Sequence, residues 1–313
     1  MRGARVPAIS ISPSSHCLPP FMASFITARR QYCSSQSTVR SRPLGFNDGD
    51  DGHHHFHHDS ATKYWDNFYK RHQNKFFKDR HYLEKDWGRF FSDDNTMSPN
   101  GKVVLEVGCG AGNTLFPLVT TYPKLFVHAC DFSPHAITLV KSHVDFNEER
   151  INAFVCNVVN DDLCNRIMPS SIDVITLVFM LSAVCPKKMP LILQNLKKVL
   201  KPNGHVLLRD YAIGDYAQVK LQNRNQMIDE NFYVRGDGTC SFYFSEDFLS
   251  TLFIRAGFSI VDMNIYCRQI ENRSRNIAMG RYAMDTCRFQ PAWIMMFPIK
   301  SARGTKHLHY PMD

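Results

Sequence analysis

The run Lys102 to Val107 (KVVLEV), followed at once by Gly108-Cys109-Gly110-Ala111-Gly112-Asn113, limits what this chain can fold into more than any other stretch. A β-branched run, closely spaced glycines and then Leu115, Leu118 and Val119 at helical spacing read as strand, tight turn and helix. Glycines in such a turn remove the Cβ atoms that would hold backbone away from a ligand. The pattern then repeats. Leu125 to Cys130 reads as a second strand ending in Asp131, and Phe154 to Cys156 as a third ending near Asn157. Ile172 to Met180 is a fourth, apolar throughout, as a strand covered on both faces must be. Helix Met189 to Leu200, the turn Lys201-Pro202-Asn203-Gly204, strand His205 to Arg209 and a sixth strand from Phe258 to Tyr266 follow. Strands alternating with helices predict an α/β fold, a Rossmann-like doubly wound sheet. Its ligand belongs at the carboxyl ends of the strands, where Gly108, Asp131, Asn157 and Val178 converge.

Composition sets the segments around this core. The 313 residues are 44% hydrophobic, enough for a sizeable core, and carry a formal charge of +8, which suits a polyanionic partner. Up to Asn47 there are six arginines, nine serines and no acid. Residues 1–46 are therefore expected to be a mitochondrial transit peptide or, alternatively, a disordered basic tail on a cytoplasmic protein. Residues 47–62 read as an acidic, histidine-rich linker, 63–101 as an aromatic and basic helical extension, 102–281 as the α/β domain, and 282–313 as a divergent tail. None of the ten cysteines falls in a CxxC pair, so no metal site is predicted. The longest apolar run, Val174 to Val184, is too short to span a bilayer, so no membrane insertion is expected.

The glycine spacing is GxGxG and not the GxGxxG of dinucleotide enzymes, and Glu106 precedes it within the strand. Both features resemble the first motif of Rossmann-like methyltransferases, as KPxG before the fifth strand resembles a later one. The resemblance implies S-adenosyl-L-methionine as cofactor. Asp131, nineteen residues after Gly112, would accept hydrogen bonds from the ribose hydroxyls; the other reading is a helix cap ahead of Ser133-Pro134.

Further segments narrow the resemblance. Tyr64-Trp65-Asp66-Asn67-Phe68-Tyr69, Phe76-Phe77-Lys78-Asp79-Arg80-His81, Asp131-Phe132-Ser133-Pro134, Arg209-Asp210-Tyr211 and Asn231-Phe232-Tyr233-Val234-Arg235 together resemble the tRNA N3-methylcytidine methyltransferases over residues 63 to 281. That family acts on cytidine 32 of the anticodon loop. By this resemblance Trp65, Tyr69, Gly108, Gly110, Asp131, Asn157, Val158 and Val178 hold the cofactor. The partners implied are tRNA and, where one is needed, a protein helper; the oligomeric state is left open.

The residues make chemical sense independently. Lys63 to Phe91 holds eight lysines and arginines against four acids, interleaved with ten aromatics, as single-stranded RNA surfaces do; the other reading is an amphipathic cap on the cofactor cleft. Cytosine N3 lies on the pairing edge, so the base must leave its stack to react. Its lone pair attacks directly and leaves a positively charged ring, which a carboxylate would stabilise. Asp210 is the candidate catalytic group, or else a helix cap or ion-pair partner of Arg209. Phe76 is a candidate to stack on the base, and Lys78, Arg80 and Arg235 to grip base or backbone; the other reading of Phe76 and Arg80 is packing and surface charge.

Three departures from the family pattern stand out. Asn157 replaces an acid that would face the adenine amine, a loss of about 1 kcal/mol. Gly238-Thr239-Cys240 lacks the usual arginine. After Arg281 the family's basic, tryptophan-containing last strand is gone, and Ala292 to Phe297 is apolar enough to stand in for it, though bracketed by prolines. These departures motivate one alternative, a tRNA-binding protein with impaired catalysis; a methyltransferase of a small-molecule acceptor is a further one.

Overall fold

A computed structural model describes residues 60–92, 101–272 and 277–291. The expected transit segment, the histidine run and Ala292 to Phe297 lie outside them. Among the described residues no helix is long and apolar enough to cross a membrane, and no cluster of metal-binding side chains occurs.

Helix α1 (Ser60–His72) and helix α2 (Tyr82–Phe91) precede a seven-stranded sheet. Strand β1 (Val103–Val107) leads to α3 (Leu115–Thr121), β2 (Phe126–Asp131) to α4 (Pro134–Lys141), then β3 (Ile151–Val155), β4 (Ile172–Val178), α5 (Met189–Val199) and β5 (Leu200–Tyr211). After α6 (Tyr216–Asn223) come three short strands, β6 (Met227–Asp229), β7 (Phe232–Val234) and β8 (Cys240–Phe242), forming a small antiparallel sheet. Helix α7 (Glu246–Arg255) and the long hairpin β9 (Phe258–Asn272) and β10 (Ile277–Pro291) close the chain. The main sheet runs β3-β2-β1-β4-β5-β10-β9, parallel from β3 to β5, with β10 antiparallel to both neighbours.

Alternation along the strands feeds two cores. Leu105, Val107, Ile175 and Leu177 face a layer that includes Ile192, Leu193, Leu196 and Val199 of α5. Val104, Val127, Val174 and Leu207 face the other layer, with Leu115 and Leu118 of α3 and Leu83, Trp87 and Phe91 of α2. Apolar residues at one helical stripe meeting one strand face make the doubly wound sandwich.

Several boundaries differ from those read in the sequence: strand β5 starts at Leu200 and takes in the expected turn Lys201 to Gly204, and β4 stops at Val178. Helix α1 begins at Ser60, inside the expected linker. Strand β3 begins at Ile151, because Asn152 breaks the apolar run while its amide reaches His128 Nδ1 at 3.0 Å. Strand β9 continues past Tyr266 to Asn272, held by backbone pairing to β10. The largest difference is at residue 281, the expected end of the domain. Strand β10 runs straight through it, so the divergent residues 282–291 occupy the inner place in the sheet. Met284 and Phe289 are buried, and Phe289 stacks on Phe253 with centroids 3.5 Å apart. The fit carries irregularities, with register shifts against β5 between Met284 and Cys287 and against β9 on either side of Arg288. Sheet pairing is made by backbone, so two well-placed apolar side chains suffice to seat an unfamiliar sequence.

Candidate active site

The glycine turn leaves β1 with Gly108 and Gly110 in the left-handed region, at φ 70° and 54°. A Cβ on Gly110 would stand 2.5 Å from the Tyr69 hydroxyl, and one on Gly108 would stand 2.5 Å from Met180 Cγ. Conformation and space therefore both demand glycine. Beside the turn, Asp131 is buried at the end of β2. Its Oδ2 accepts from Gly110 N–H at 3.0 Å and its Oδ1 from Ser133 N–H at 2.9 Å. A carboxylate has about four lone-pair positions, so the backbone N–H groups leave acceptor capacity for a ligand. Burial pushes its carboxyl up to about 6, against the pull of the Ser133, Gly110 and Phe132 N–H groups. The helix cap is Ser133, whose hydroxyl accepts from Ala136 N–H.

Around Asp131 lies a narrow cavity of about 110 Å³, lined among others by Trp65, Tyr69, Gly108, Asn157, Val158 and Phe179. A wider one of about 600 Å³ adjoins it, with Trp65, Tyr69, Gly108, Phe179 and Ala183 on both walls. Gly110, Val178, Phe76, Lys78, Arg80 and Arg235 line the wider cavity. Every residue expected to hold cofactor or RNA thus faces one of these two spaces. Their shared wall suits a two-part ligand, a nucleoside in one and an amino-acid chain in the other, and the glycine cradle and the free lone pairs of Asp131 fit S-adenosylmethionine.

The N-terminal extension is fastened over this site. Asp66 accepts from the Ser133 hydroxyl at 2.8 Å and from His135 N–H at 3.0 Å, joining α1 to the start of α4. Burial raises the Asp66 carboxyl, but the Ser133, His135 and Lys70 contacts outweigh it and leave the group lowered. Further along, Arg80 N–H donates to Asn113 O at 2.9 Å and Arg80 Nη1 to Thr114 Oγ1 at 3.0 Å. Asn113 Nδ2 donates back to Phe77 O and Asp79 Oδ1. Arg80 therefore serves first as a tie to the glycine turn, stacked 5.5 Å from the Phe179 ring, and reaches the cavity from there. The aromatics of the extension divide between core and surface. Phe68, Tyr69, Trp87, Phe90 and Phe91 are buried, while Phe76 and Tyr82 stay 56% and 44% exposed.

A methyltransferase domain profile matches residues 105–206. A tRNA N(3)-cytidine methyltransferase of Rattus norvegicus is 43% identical over 226 residues, covering 72% of this chain and 78% of the relative. A tRNA N(3)-methylcytidine methyltransferase of Schizosaccharomyces pombe is 41% identical over 223 residues, covering 71% and 89%. This chain belongs to the tRNA N(3)-cytidine methyltransferase family. Among solved structures, a SAM-dependent methyltransferase of Anabaena variabilis shares the fold, with a TM-score of 0.54 at 14% identity over 74% of this chain and 94% of that one.

Within this methyltransferase one expected placement is corrected. Asp210 lines neither cavity and is fully buried. Its Oδ2 accepts from Ser182 N–H and its Oδ1 from Tyr211 N–H, both at 2.9 Å. Burial pushes its carboxyl up to about 6, with Ser182, Tyr211 and Arg235 pulling down. The strand alternates here, so Tyr211 meets the cavity and Asp210 the core behind it. Carboxylates on the cavity wall are Asp79 and Asp237. Asn157 spends its oxygen on Val159 N–H at 3.2 Å, and Cys240 is buried in β8 while Arg235 reaches its carbonyl at 3.0 Å.

Sequence reasoning missed Phe179 and Tyr211, whose rings lie 5.0 Å apart. Phe179 sits at φ 54°, strained for a side-chain-bearing residue, and lines both cavities. Its place directly after Val178 at a strand's carboxyl end was the available signal.

Proposed function

We propose that this methyltransferase transfers a methyl group from S-adenosylmethionine to N3 of a cytidine in tRNA, at position 32 of the anticodon loop. The observation that carries the reading is the pairing of a glycine-and-aspartate cleft with a wide aromatic and basic cavity, in a chain more than 40% identical to tRNA N(3)-cytidine methyltransferases.

When bound, S-adenosylmethionine supplies an electrophilic methyl on its sulfonium sulfur. Gly108 and Gly110 let backbone approach it, Asp131 accepts from the ribose hydroxyls, and Asn157 and Val158 flank the adenine. Trp65 and Tyr69 cover the junction of the two cavities. Phe76, Phe179 and Tyr211 offer ring faces to an extruded base, and Arg235, 5.7 Å from the Tyr211 ring, supports that wall. The N3 lone pair attacks without prior deprotonation, so positioning supplies much of the acceleration. Asp79 and Asp237 balance the charge that grows on the ring. Asp210 acts as a positioning residue, holding Ser182 and Tyr211 in the wall.

Incubating purified full-length protein with labelled cofactor and cytidine-32 tRNA, then resolving nucleosides, tests this. Label in 3-methylcytidine, abolished when uridine replaces cytidine 32, is expected. Label confined to protein or small molecules would overturn it. Activity of the purified chain alone would also remove any need for a protein helper. Mitochondrial import is supported by the acid-free, arginine-rich segment through residue 46. A fusion of residues 1–46 to a fluorescent protein that remained in the cytosol would overturn that assignment.

A further inference from the structure

Next to the wide cavity is a trough of about 510 Å³ that the reaction described above does not use. Its floor is one face of the sheet. The cross-strand partners Tyr211, Ala283 and Tyr266 form one row over β5, β10 and β9, and Arg281 lies directly opposite Arg268 in the next. Tyr82, Lys85 and Asp86 of α2 form the facing wall.

The charges in it do not cancel. Arg209 Nη2 meets Asp86 Oδ2 and Arg281 Nε meets Asp215 Oδ2, each at 2.8 Å. Lys85 and Arg268 make no ion pair among the described residues, and they stand on opposite sides of the trough. Like charges facing each other across a strand pair, as Arg268 faces Arg281, are destabilising by themselves. Between two uncompensated cations there is a natural place for an anion. Two tyrosines flank it, Tyr82 44% and Tyr266 49% exposed, so ring faces accompany the cations. A volume of this size falls within the roughly 300–1,000 Å³ of ordinary ligand sites. The trough also shares Tyr82, Phe179, Tyr211 and Arg281 with the wide cavity, so a chain leaving one enters the other.

We propose that this trough holds the nucleotide adjoining the methylated cytidine, its phosphate between Lys85 and Arg268 and its base against Tyr266. The inference rests on the RNA reading above. Single-stranded RNA is gripped by this combination, cations on the phosphate and rings on the base.

The test uses full-length protein and an anticodon stem-loop RNA carrying cytidine 32. Binding is measured over a range of salt concentrations and methylation is followed kinetically. Arg268→Ala should raise Kd and KM roughly ten-fold with kcat little changed, and lower the slope of log affinity against log salt by about 0.7, the value of one single-strand phosphate contact. Arg268→Lys should restore the slope. Tyr266→Ala should weaken binding roughly five- to ten-fold at an unchanged slope, as lost stacking does. Both side chains are exposed, so an unchanged melting temperature is expected to accompany these effects. If the unaltered protein methylates this RNA while Arg268→Ala leaves slope and KM as they were, the trough assignment is wrong and the activity stands. If the unaltered protein binds without methylating and Arg268→Ala still lowers the slope, the trough stands and the activity reading fails.

Discussion

The narrow cleft at Asp131 takes its shape from backbone, whereas the wide cavity beside it takes its shape from side chains brought by widely separated segments. In the cleft, two left-handed glycines and two N–H groups donating to one carboxylate set the geometry. In the cavity, Phe76, Phe179, Tyr211 and Arg235 arrive from the extension, the turn after β4, β5 and the turn after β7. A backbone-built site has few tolerable substitutions, because every change moves the chain. A site built from side chains should lose function in smaller and separable steps.

Gly110→Ala would challenge that contrast most severely. The new Cβ would meet the Tyr69 hydroxyl at 2.5 Å in a conformation already unfavourable to alanine. A cost of roughly 3 kcal/mol is expected, on the order of a hundred-fold loss in cofactor affinity by calorimetry. A loss under five-fold would show that the cleft can breathe. Asp131→Asn should come next, at roughly ten- to a hundred-fold, since charge-assisted bonds are lost. In the unaltered protein, affinity should fall as pH drops through about 6, where the buried carboxyl takes up its proton.

Asp210→Asn keeps an acceptor for only one of its two N–H donors, because an amide has a single oxygen. Its cost is about 1–3 kcal/mol, read as a lower melting temperature with kcat falling alongside. Unchanged melting with kcat abolished would restore Asp210 to the chemistry itself. Phe76→Ala, on the side-chain-built side, should raise KM for tRNA roughly five-fold with kcat preserved.

The smallest effect is expected at Glu106. Burial pushes its carboxyl up to about 8, with Arg80, Thr114 and Leu115 pulling down, so it is neutral at pH 7 and glutamine mimics it. Glu106→Gln should leave cofactor affinity within about two-fold. The sign of its pH effect is distinctive. A carboxyl whose folded value is raised binds more protons folded than unfolded between about 4.5 and 8, so its contribution to stability falls as pH rises through that window. Glu106→Gln should therefore gain stability relative to the unaltered protein from pH 5 to pH 8 by calorimetric melting. A difference that stayed flat over that range would show Glu106 already ionised in the fold.

The cleft was legible in the sequence for a physical reason. Gly108, Gly110 and Asp131 act at a fixed distance along the chain from a strand end, and strand ends are visible as breaks in apolar patterning. The wide cavity was half legible. Phe76, Lys78, Arg80 and Arg235 stood in aromatic and basic segments outside the apolar strands, whereas Phe179 and Tyr211 followed apolar strands and looked like core. Asp210 was misplaced by one position of strand alternation, a choice that depends on which face of β5 the glycine turn occupies.

By itself the sequence determined the order of strands β1 to β5, the glycine cradle, the acid at the end of β2 and the family, because each rests on spacing along one chain. Only the tertiary structure decided that residues 282–291 fill the inner strand, that Asp210 lies behind the cavity wall, and that Lys85 and Arg268 face each other over a trough. Those three depend on register between strands far apart in sequence, and register is set by how side chains pack from both layers at once.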